Sequence, residues 1–158
     1  MKIHLLAAGA MLASLAVASP AAAQPDTSAD PIAGTVNLRA GFTPDPRVVA
    51  VRAGGSEAAS SVGGNCQGFI SSAPDVRLNY QSGSFPLIIS VASNADTTLV
   101  INAPDGSWHC DDDGGVRGSN PGLRFNRPLT GAYEIWIGTY RSGGTQAARL
   151  HISETSSQ

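Results

Sequence analysis

The amino-acid sequence predicts an all-β protein, an antiparallel β-sandwich of about seven to nine strands that forms a single domain. From residue 35 onward, apolar residues recur with a period of two, which is the spacing of a strand with one buried face. Turn-forming residues separate these runs, and the chain of 158 residues holds 18 Gly and 10 Pro. No window shows a helical apolar stripe, and short strands punctuated in this way are typical of sandwiches.

The predicted strands follow one another along the chain. Val76, Leu78 and Tyr80 alternate with polar neighbours, which predicts a half-buried strand. Residues 86–93 are apolar on both faces and predict a central strand. The other predicted strands are residues 35–38, 47–52, 97–103, 132–140 and 148–152.

Turns and loops are predicted between these strands. In the sequence Ala103-Pro104-Asp105-Gly106, the proline fixes φ and the glycine accepts the left-handed conformation, so a tight turn is expected. Two stretches rich in small residues, 53–64 and 113–122, predict long loops.

The first 23 residues have the features of a bacterial secretory signal peptide. Lys2 supplies the positive charge, residues 5–18 form the apolar segment, and residues 21–23 are alanines that precede a cleavage site at Gln24. An uncleaved anchor is the alternative. Cleavage predicts a periplasmic or secreted protein with no transmembrane anchor, a flexible leader at residues 24–34, and one domain at residues 35–155.

The mature chain has two cysteines, Cys66 and Cys110. The predicted compartment permits disulfides, so we expect these two to be bonded. Two buried free thiols are the alternative. The bond would close a loop of about 45 residues and contribute on the order of 4 kcal/mol to stability.

The charge composition excludes some classes of partner. The chain has 10 Lys and Arg against 12 Asp and Glu, a formal net charge of -2, and its arginines are scattered singly along the sequence. Such a chain offers no basic stripe, so no nucleic-acid partner is expected.

Three sequence segments resemble a known family. They are DTTLVINAPDGS at residues 96–107, DDDG at residues 111–114 and GAYEIWIGTY at residues 131–140. Together they resemble the bacterial pre-peptidase C-terminal (PPC-like) domain, a β-sandwich appended to many secreted peptidases and similar to bacterial collagenase collagen-binding modules. The resemblance covers residues 86–140 and implies a jelly-roll or collagen-binding-domain-like sandwich. No peptidase domain precedes it, so a stand-alone secreted form is expected.

The acidic run at residues 111–113 is a candidate metal site. In an extended segment Asp111 and Asp113 point to the same side, and Asp96 could add a third oxygen ligand for Ca²⁺. The alternative is a solvated turn in which the aspartates accept hydrogen bonds from backbone amides.

Aromatic residues are the candidate ligand-binding groups. Trp108, Trp136 and Tyr140 lie in or beside the family-like segments, and exposed aromatics in secreted sandwiches can bind sugars or peptides. Core packing is the alternative. For Trp136, exposure and a second packing layer are both open, whereas Tyr133 is expected in the core.

The sequence contains no organised catalytic motif. It lacks a Gly-x-Ser-x-Gly elbow, and the histidines after the signal peptide are His109, in the strand-like segment 107–110, and His151, on a predicted strand. We therefore expect a secreted, non-catalytic binding or accessory module, with Ca²⁺ as the one candidate cofactor and an extracellular or envelope peptide or polysaccharide as partner. Two alternatives remain open: a small secreted hydrolase of the serine-peptidase type, and a structural or inhibitory partner of a secreted peptidase.

Overall fold

Two β-sheets packed face to face make up the fold, as seen in a computed structural model that describes residues 24–63 and 65–158. The predicted signal peptide lies outside the described residues. Eleven strands and one short 3₁₀ helix at Ala59–Ser61 follow in chain order. The strands are β1 (Thr35–Arg39), β2 (Arg47–Ala53), β3 (Glu57–Ala58), β4 (Phe69–Ile70), β5 (Val76–Gln81), β6 (Leu87–Ala92), β7 (Thr97–Asn102), β8 (Trp108–Asp111), β9 (Gly122–Phe125), β10 (Gly131–Thr139) and β11 (Gln146–Ser153).

The larger sheet, which we call sheet A, has seven strands. Its path runs β1-β5-β10-β4-β3, and β7 pairs with both β10 and β8. Sheet B has four strands in the order β2-β11-β6-β9. The predicted all-β sandwich is confirmed, with two differences: the strands number eleven, and β1 pairs with β5 in parallel. The additional strands include β3 and β4, which have two residues each and are too short to show a sequence period.

The main core lies between the two sheets. Alternate residues of β10, Tyr133, Ile135 and Ile137, point into it and are fully or almost fully buried. Leu150 and Ile152 of β11 face them from sheet B, and neither is exposed. The period of two in the sequence therefore reflects burial of one face of each strand.

A second, smaller core lies on the outer face of sheet A. The chain between β2 and β4 folds over that face, and the disulfide Cys66–Cys110 fastens it to β8. Trp136 is fully buried there with Val100 and Ile70. Of the two alternatives for Trp136, the structure shows the second packing layer, and the predicted disulfide is confirmed.

Residues 24–34, predicted as a flexible leader, run beside the chain that enters β5. The Ile32 amide donates to the Pro74 carbonyl at 2.9 Å, and the Ala33 amide donates to the Asp75 carbonyl at 2.7 Å. The Arg77 guanidinium donates to the Ala29 carbonyl at 3.1 Å. The segment thus extends the hydrogen-bonded edge of sheet A.

Candidate functional site

A serine, a histidine and an aspartate do come together at the turn between β7 and β8. Ser107 Oγ lies 2.9 Å from His109 Nε2 and donates to Asp105 Oδ1 at 2.6 Å. The Ser107 amide also donates to that Asp105 oxygen, at 3.0 Å. These hydrogen bonds to Ser107, the side-chain bond first, lower the pKa of Asp105 below its ordinary value.

The order of these three groups is not that of a catalytic triad. In a triad the carboxylate orients the histidine, and the histidine takes the serine proton. Here the charged Asp105 carboxylate lies within hydrogen-bonding distance of the same hydroxyl. When Ser107 Oγ donates to that carboxylate, His109 Nε2 is left to act as the donor to Ser107 Oγ. A histidine that donates to the hydroxyl does not act as its base, so in this arrangement the cluster closes the turn.

The second histidine, His151, lies on the outer face of sheet B between Val48 and Ser90. Neither of its ring nitrogens has a hydrogen-bond partner in the described part of the chain. Burial and then the neighbouring charges of Arg149 and Arg117 lower its pKa. His151 is therefore predominantly neutral at pH 7, and none of the described serines forms a hydrogen bond with its ring.

Asp96, Asp111 and Asp113, which were predicted to bind a metal, do not form a cluster. Asp111 Oδ2 accepts the amides of Gly114 at 2.7 Å and Gly122 at 2.8 Å, which is the turn-stabilising alternative. No group of three or more His, Cys, Asp or Glu side chains that could hold a metal forms within residues 24–63 and 65–158, so Asp96 and Asp113 do not join Asp111 in such a group. Calcium binding stays a prediction, which thermal melting in millimolar Ca²⁺ tests.

The predicted aromatic residues occupy different surroundings. Trp136 is buried, as described above, and Trp108 packs against it with ring centroids 5.4 Å apart. Trp108 also lines a cavity of about 440 Å³ with His109 and Leu123. Tyr140, which is 39% exposed, borders a separate cavity of about 650 Å³ beside the Cys66 loop. The three aromatics therefore do not form one platform.

A groove on the outer face of sheet B is a site that the sequence analysis did not predict. It has a volume of about 650 Å³ and lies between the strands and the loop at residues 112–121. Ala50, Ala92 and Ala147 form part of its lining, and two exposed arginines, Arg117 from the loop and Arg149 from β11, project beside them. We call this site the arginine groove.

The charged side chains among the described residues that line the arginine groove are both arginines, Arg117 and Arg149. The four strands of sheet B hold four arginines and, in their described residues, no Asp or Glu. The single ion pair between described residues joins Arg77 to Glu134 on sheet A, so Arg117 and Arg149 have no carboxylate partner there. Strand register thus places Arg149 in the groove, and the loop adds Arg117.

Asn120 fixes the loop that carries Arg117. Its side-chain oxygen accepts the Thr97 hydroxyl at 2.6 Å, and its side-chain nitrogen donates to the Ser93 carbonyl at 2.9 Å. The same nitrogen lies 3.3 Å from the Arg117 carbonyl. Asn120 is 5% exposed, so this anchor is buried and holds one wall of the groove against β6 and β7.

The C-terminal residues cover the neighbouring part of the same face. The Gln158 amide donates to Ser90 Oγ at 3.0 Å, and the Val116 amide donates to the Gln158 carbonyl at 2.9 Å. The outer face of sheet B is therefore covered at Ser90 and open at the alanines of the groove.

Part of this site could be inferred from alternation alone. Arg149 and His151 share the outward face of β11 because the residues between and beside them, Ala148, Leu150 and Ile152, are buried. The position of Arg117 could not be inferred from alternation, because it depends on the folding of a long loop.

Comparisons with known proteins give little further guidance. No family model matches the chain, and no curated protein matches its sequence. A solved structure, the periplasmic g-type lysozyme inhibitor PliG of Aeromonas hydrophila, is similar over 79% of this chain and 98% of its own, with 13% identity and a TM-score of 0.37. A similarity of that size carries no functional argument. The resemblance to the PPC-like domain stays a prediction.

Within the described residues, no helix is long and apolar enough to cross a membrane.

Proposed function

We propose that this protein is a secreted, non-catalytic binding module that holds its partner in the arginine groove of sheet B. The observation that carries the proposal is the groove itself: about 650 Å³ of concave surface with two exposed arginines that have no carboxylate partner among the described residues. Unpaired guanidinium groups beside a groove are typical of a recognition surface for a ligand with oxyanions.

A binding role also agrees with the chemistry of the Ser107 turn. The Ser107 proton is directed to Asp105 rather than to His109, so the cluster lacks the proton path of a serine hydrolase. This favours a binding module over the hydrolase alternative.

The proposed location is the bacterial periplasm or the growth medium. The disulfide Cys66–Cys110 supports it, because such bonds form and persist in oxidising compartments. The signal-peptide features of residues 1–23 agree with it.

Site-specific photocrosslinking tests the binding role. A photoreactive amino acid is placed at Ala92 in the groove, and at Thr35 on β1 of sheet A as the matched control. Each purified chain is illuminated with the envelope and medium fractions of the source bacterium. We expect a discrete adduct from Ala92 and none from Thr35. Equal adducts from both positions, or none from either, would contradict the proposal.

The same fractions identify the class of partner. Mass spectrometry of the adduct distinguishes a peptidase, another envelope protein and a polysaccharide. In parallel, hydrolysis of a general protein substrate by the mature chain, abolished by Ser107→Ala, would revive the hydrolase alternative.

A further inference from the structure

We infer that the arginine groove takes an acidic polypeptide segment in extended conformation, with carboxylates at alternate positions. This inference rests on the proposed function and names the chemistry of the partner. It follows from the charge of the groove, the spacing between its Arg149 and the neighbouring Arg52 of the same sheet, and the hydrogen bonds already made by two of its neutral polar side chains.

The charge of sheet B is complementary to an acidic segment. Arg149 stands on β11 between Ala50 of β2 and Ala92 of β6, so small side chains flank its guanidinium on both sides. Arg117 lines the same groove from the loop. A carboxylate that enters between them can accept a forked pair of hydrogen bonds from either guanidinium.

A third arginine continues the positive surface along sheet B. Arg52 lies opposite Ala147, two residue pairs from the Arg149–Ala50 pair, and so shares the outward face with Arg149. Its guanidinium is held by Thr145, with Nε donating to Oγ1 at 3.0 Å and Nη2 donating to the carbonyl at 3.2 Å. These hydrogen bonds do not involve Nη1, which can donate to a ligand.

The spacing of Arg52 and Arg149 matches an extended peptide. Diagonal neighbours on adjacent antiparallel strands lie about 7–8 Å apart. Alternate side chains of an extended chain repeat at about 7 Å along its axis. A peptide with Asp or Glu at every second position therefore presents its carboxylates at the interval at which the sheet presents these two arginines.

The polar groups of the groove favour a polypeptide over a polysaccharide, because two of its neutral side chains, Ser93 and Asn120, are already hydrogen-bonded within the protein. Ser93 Oγ already donates to the Ala147 carbonyl at 2.8 Å, and the Asn120 side chain is engaged with Thr97 and Ser93. Among the described residues that line the groove, none is an aromatic on which a sugar ring could stack. The arginines supply hydrogen-bond donors and no acceptors. They therefore match carboxylates, which only accept, better than sugar hydroxyls, which both donate and accept.

Peptide binding by the purified mature chain tests the inference. The probe is a fluorescent peptide of about ten residues that alternates Glu with Ala, read by anisotropy at low ionic strength. We expect saturable binding that weakens about tenfold or more in the double variant Arg117→Glu/Arg149→Glu. The single variant Arg149→Glu should also weaken binding, and its matched control Arg39→Glu, which reverses one charge on β1 of sheet A, should bind with the affinity of the wild type. Arg149→Lys keeps the charge without the fork and should bind with intermediate affinity.

Several outcomes would overturn the inference. They are the absence of saturable binding, an equal loss in Arg39→Glu, and displacement of the peptide by oligogalacturonate or inorganic phosphate as readily as by unlabelled peptide. Crosslinking at Ala92 reports separately on the proposed function. A specific adduct there, combined with no acidic-peptide binding, would overturn the inference and leave the binding module intact. Peptide binding with no adduct would contradict the proposed function and the inferred partner, and would leave only the affinity of the groove for acidic peptides.

Discussion

Tyr80 and Glu154 are joined by a buried hydrogen bond, in which the Tyr80 hydroxyl donates to Glu154 Oε1 at 2.7 Å. The Gly41 amide donates to the same carboxylate, 3.0 Å from one oxygen and 2.9 Å from the other. Tyr80 and Glu154 are 2% and 7% exposed. One carboxylate thus connects β5, the end of β11 and the loop after β1. Burial and then this hydrogen bond raise the pKa of Tyr80 above its ordinary value.

We predict that Tyr80→Phe lowers the free energy of unfolding by about 2 kcal/mol, because a hydrogen bond to a buried carboxylate is lost. Urea denaturation at pH 7 measures the change. Tyr140→Phe removes a hydroxyl from an exposed tyrosine and is the matched control, for which no change is expected. Equal effects of the two substitutions would show that the Glu154 contact does not contribute to stability.

The second prediction concerns Asp75, whose carboxylate is 2% exposed and accepts the Ile137 amide on Oδ2 at 2.7 Å. Burial raises the pKa of Asp75 to about 7, against the lowering effect of that hydrogen bond. Between the ordinary aspartate pKa and about 7, the folded chain keeps a proton that the unfolded chain has lost. The contribution of Asp75 to stability is therefore fully present at low pH and is lost as the pH rises through this interval.

Asp75→Asn should remove this dependence, because the amide oxygen can still accept the Ile137 amide and carries no charge. Relative to the variant, the free energy of unfolding of the wild type should fall by roughly 4 kcal/mol between pH 4 and pH 8. Urea midpoints of both proteins across that interval give the difference, in which the titration of all other groups cancels. Parallel pH profiles would show that Asp75 titrates normally in the folded state.

How much was predictable from sequence depends on the length and the burial of each element. Strands β1, β2, β5, β6, β7, β10 and β11 were predicted because each has five or more residues with an alternating or continuous apolar pattern. Strands β3 and β4 were not predicted, because two residues are too few to show an alternation of apolar and polar residues. The parallel pairing of β1 with β5 was missed because alternation is the same in either direction.

Candidate site residues were less predictable, for a related reason. Period two places Arg149 on the outward face of β11, but the approach of Arg117 depends on the buried contacts of Asn120 with Thr97 and Ser93. Such contacts join residues that are 23 and 27 positions apart and leave no local sequence pattern. The disulfide was predictable because the sequence contains a single pair of cysteines.

The third prediction is that Asp111→Ala loosens the loop that forms one wall of the arginine groove. Its Oδ2 atom accepts both the Gly114 and the Gly122 amides, so the substitution removes two hydrogen bonds to a carboxylate. We expect the free energy of unfolding to fall by about 2 kcal/mol and amide exchange at Gly114 and Gly122 to become faster. Asp113→Ala, at an exposed position of the same run, should leave both unchanged. Equal effects would indicate that Asp111 does not organise the loop.

The fourth prediction is that Cys66→Ala/Cys110→Ala lowers the free energy of unfolding by about 4 kcal/mol, because the bond closes a loop of about 45 residues. The pair also fastens the segment that covers Trp136 and Trp108. Urea denaturation followed by tryptophan fluorescence measures both effects. Reductant should destabilise the wild type and have no effect on the variant. A wild type that is insensitive to reductant, although its disulfide is fully reduced, would contradict the prediction.

The last prediction concerns the tautomer of neutral His109. Ser107 has one hydroxyl proton, and Asp105 Oδ1, at 2.6 Å, is a charged acceptor that lies closer than His109 Nε2, at 2.9 Å. A charged acceptor forms the stronger hydrogen bond, so the proton goes to Asp105 and Nε2 must carry its own. Long-range ¹H–¹⁵N correlation spectra of the imidazole should therefore show the Nε2–H form at a pH where His109 is neutral. In Ser107→Ala the pKa of Asp105 should return towards its ordinary value, because its principal hydrogen bonds involve Ser107. If the spectra show Nδ1–H instead, Nε2 accepts the serine proton, and the base–nucleophile pair required by the hydrolase alternative is present.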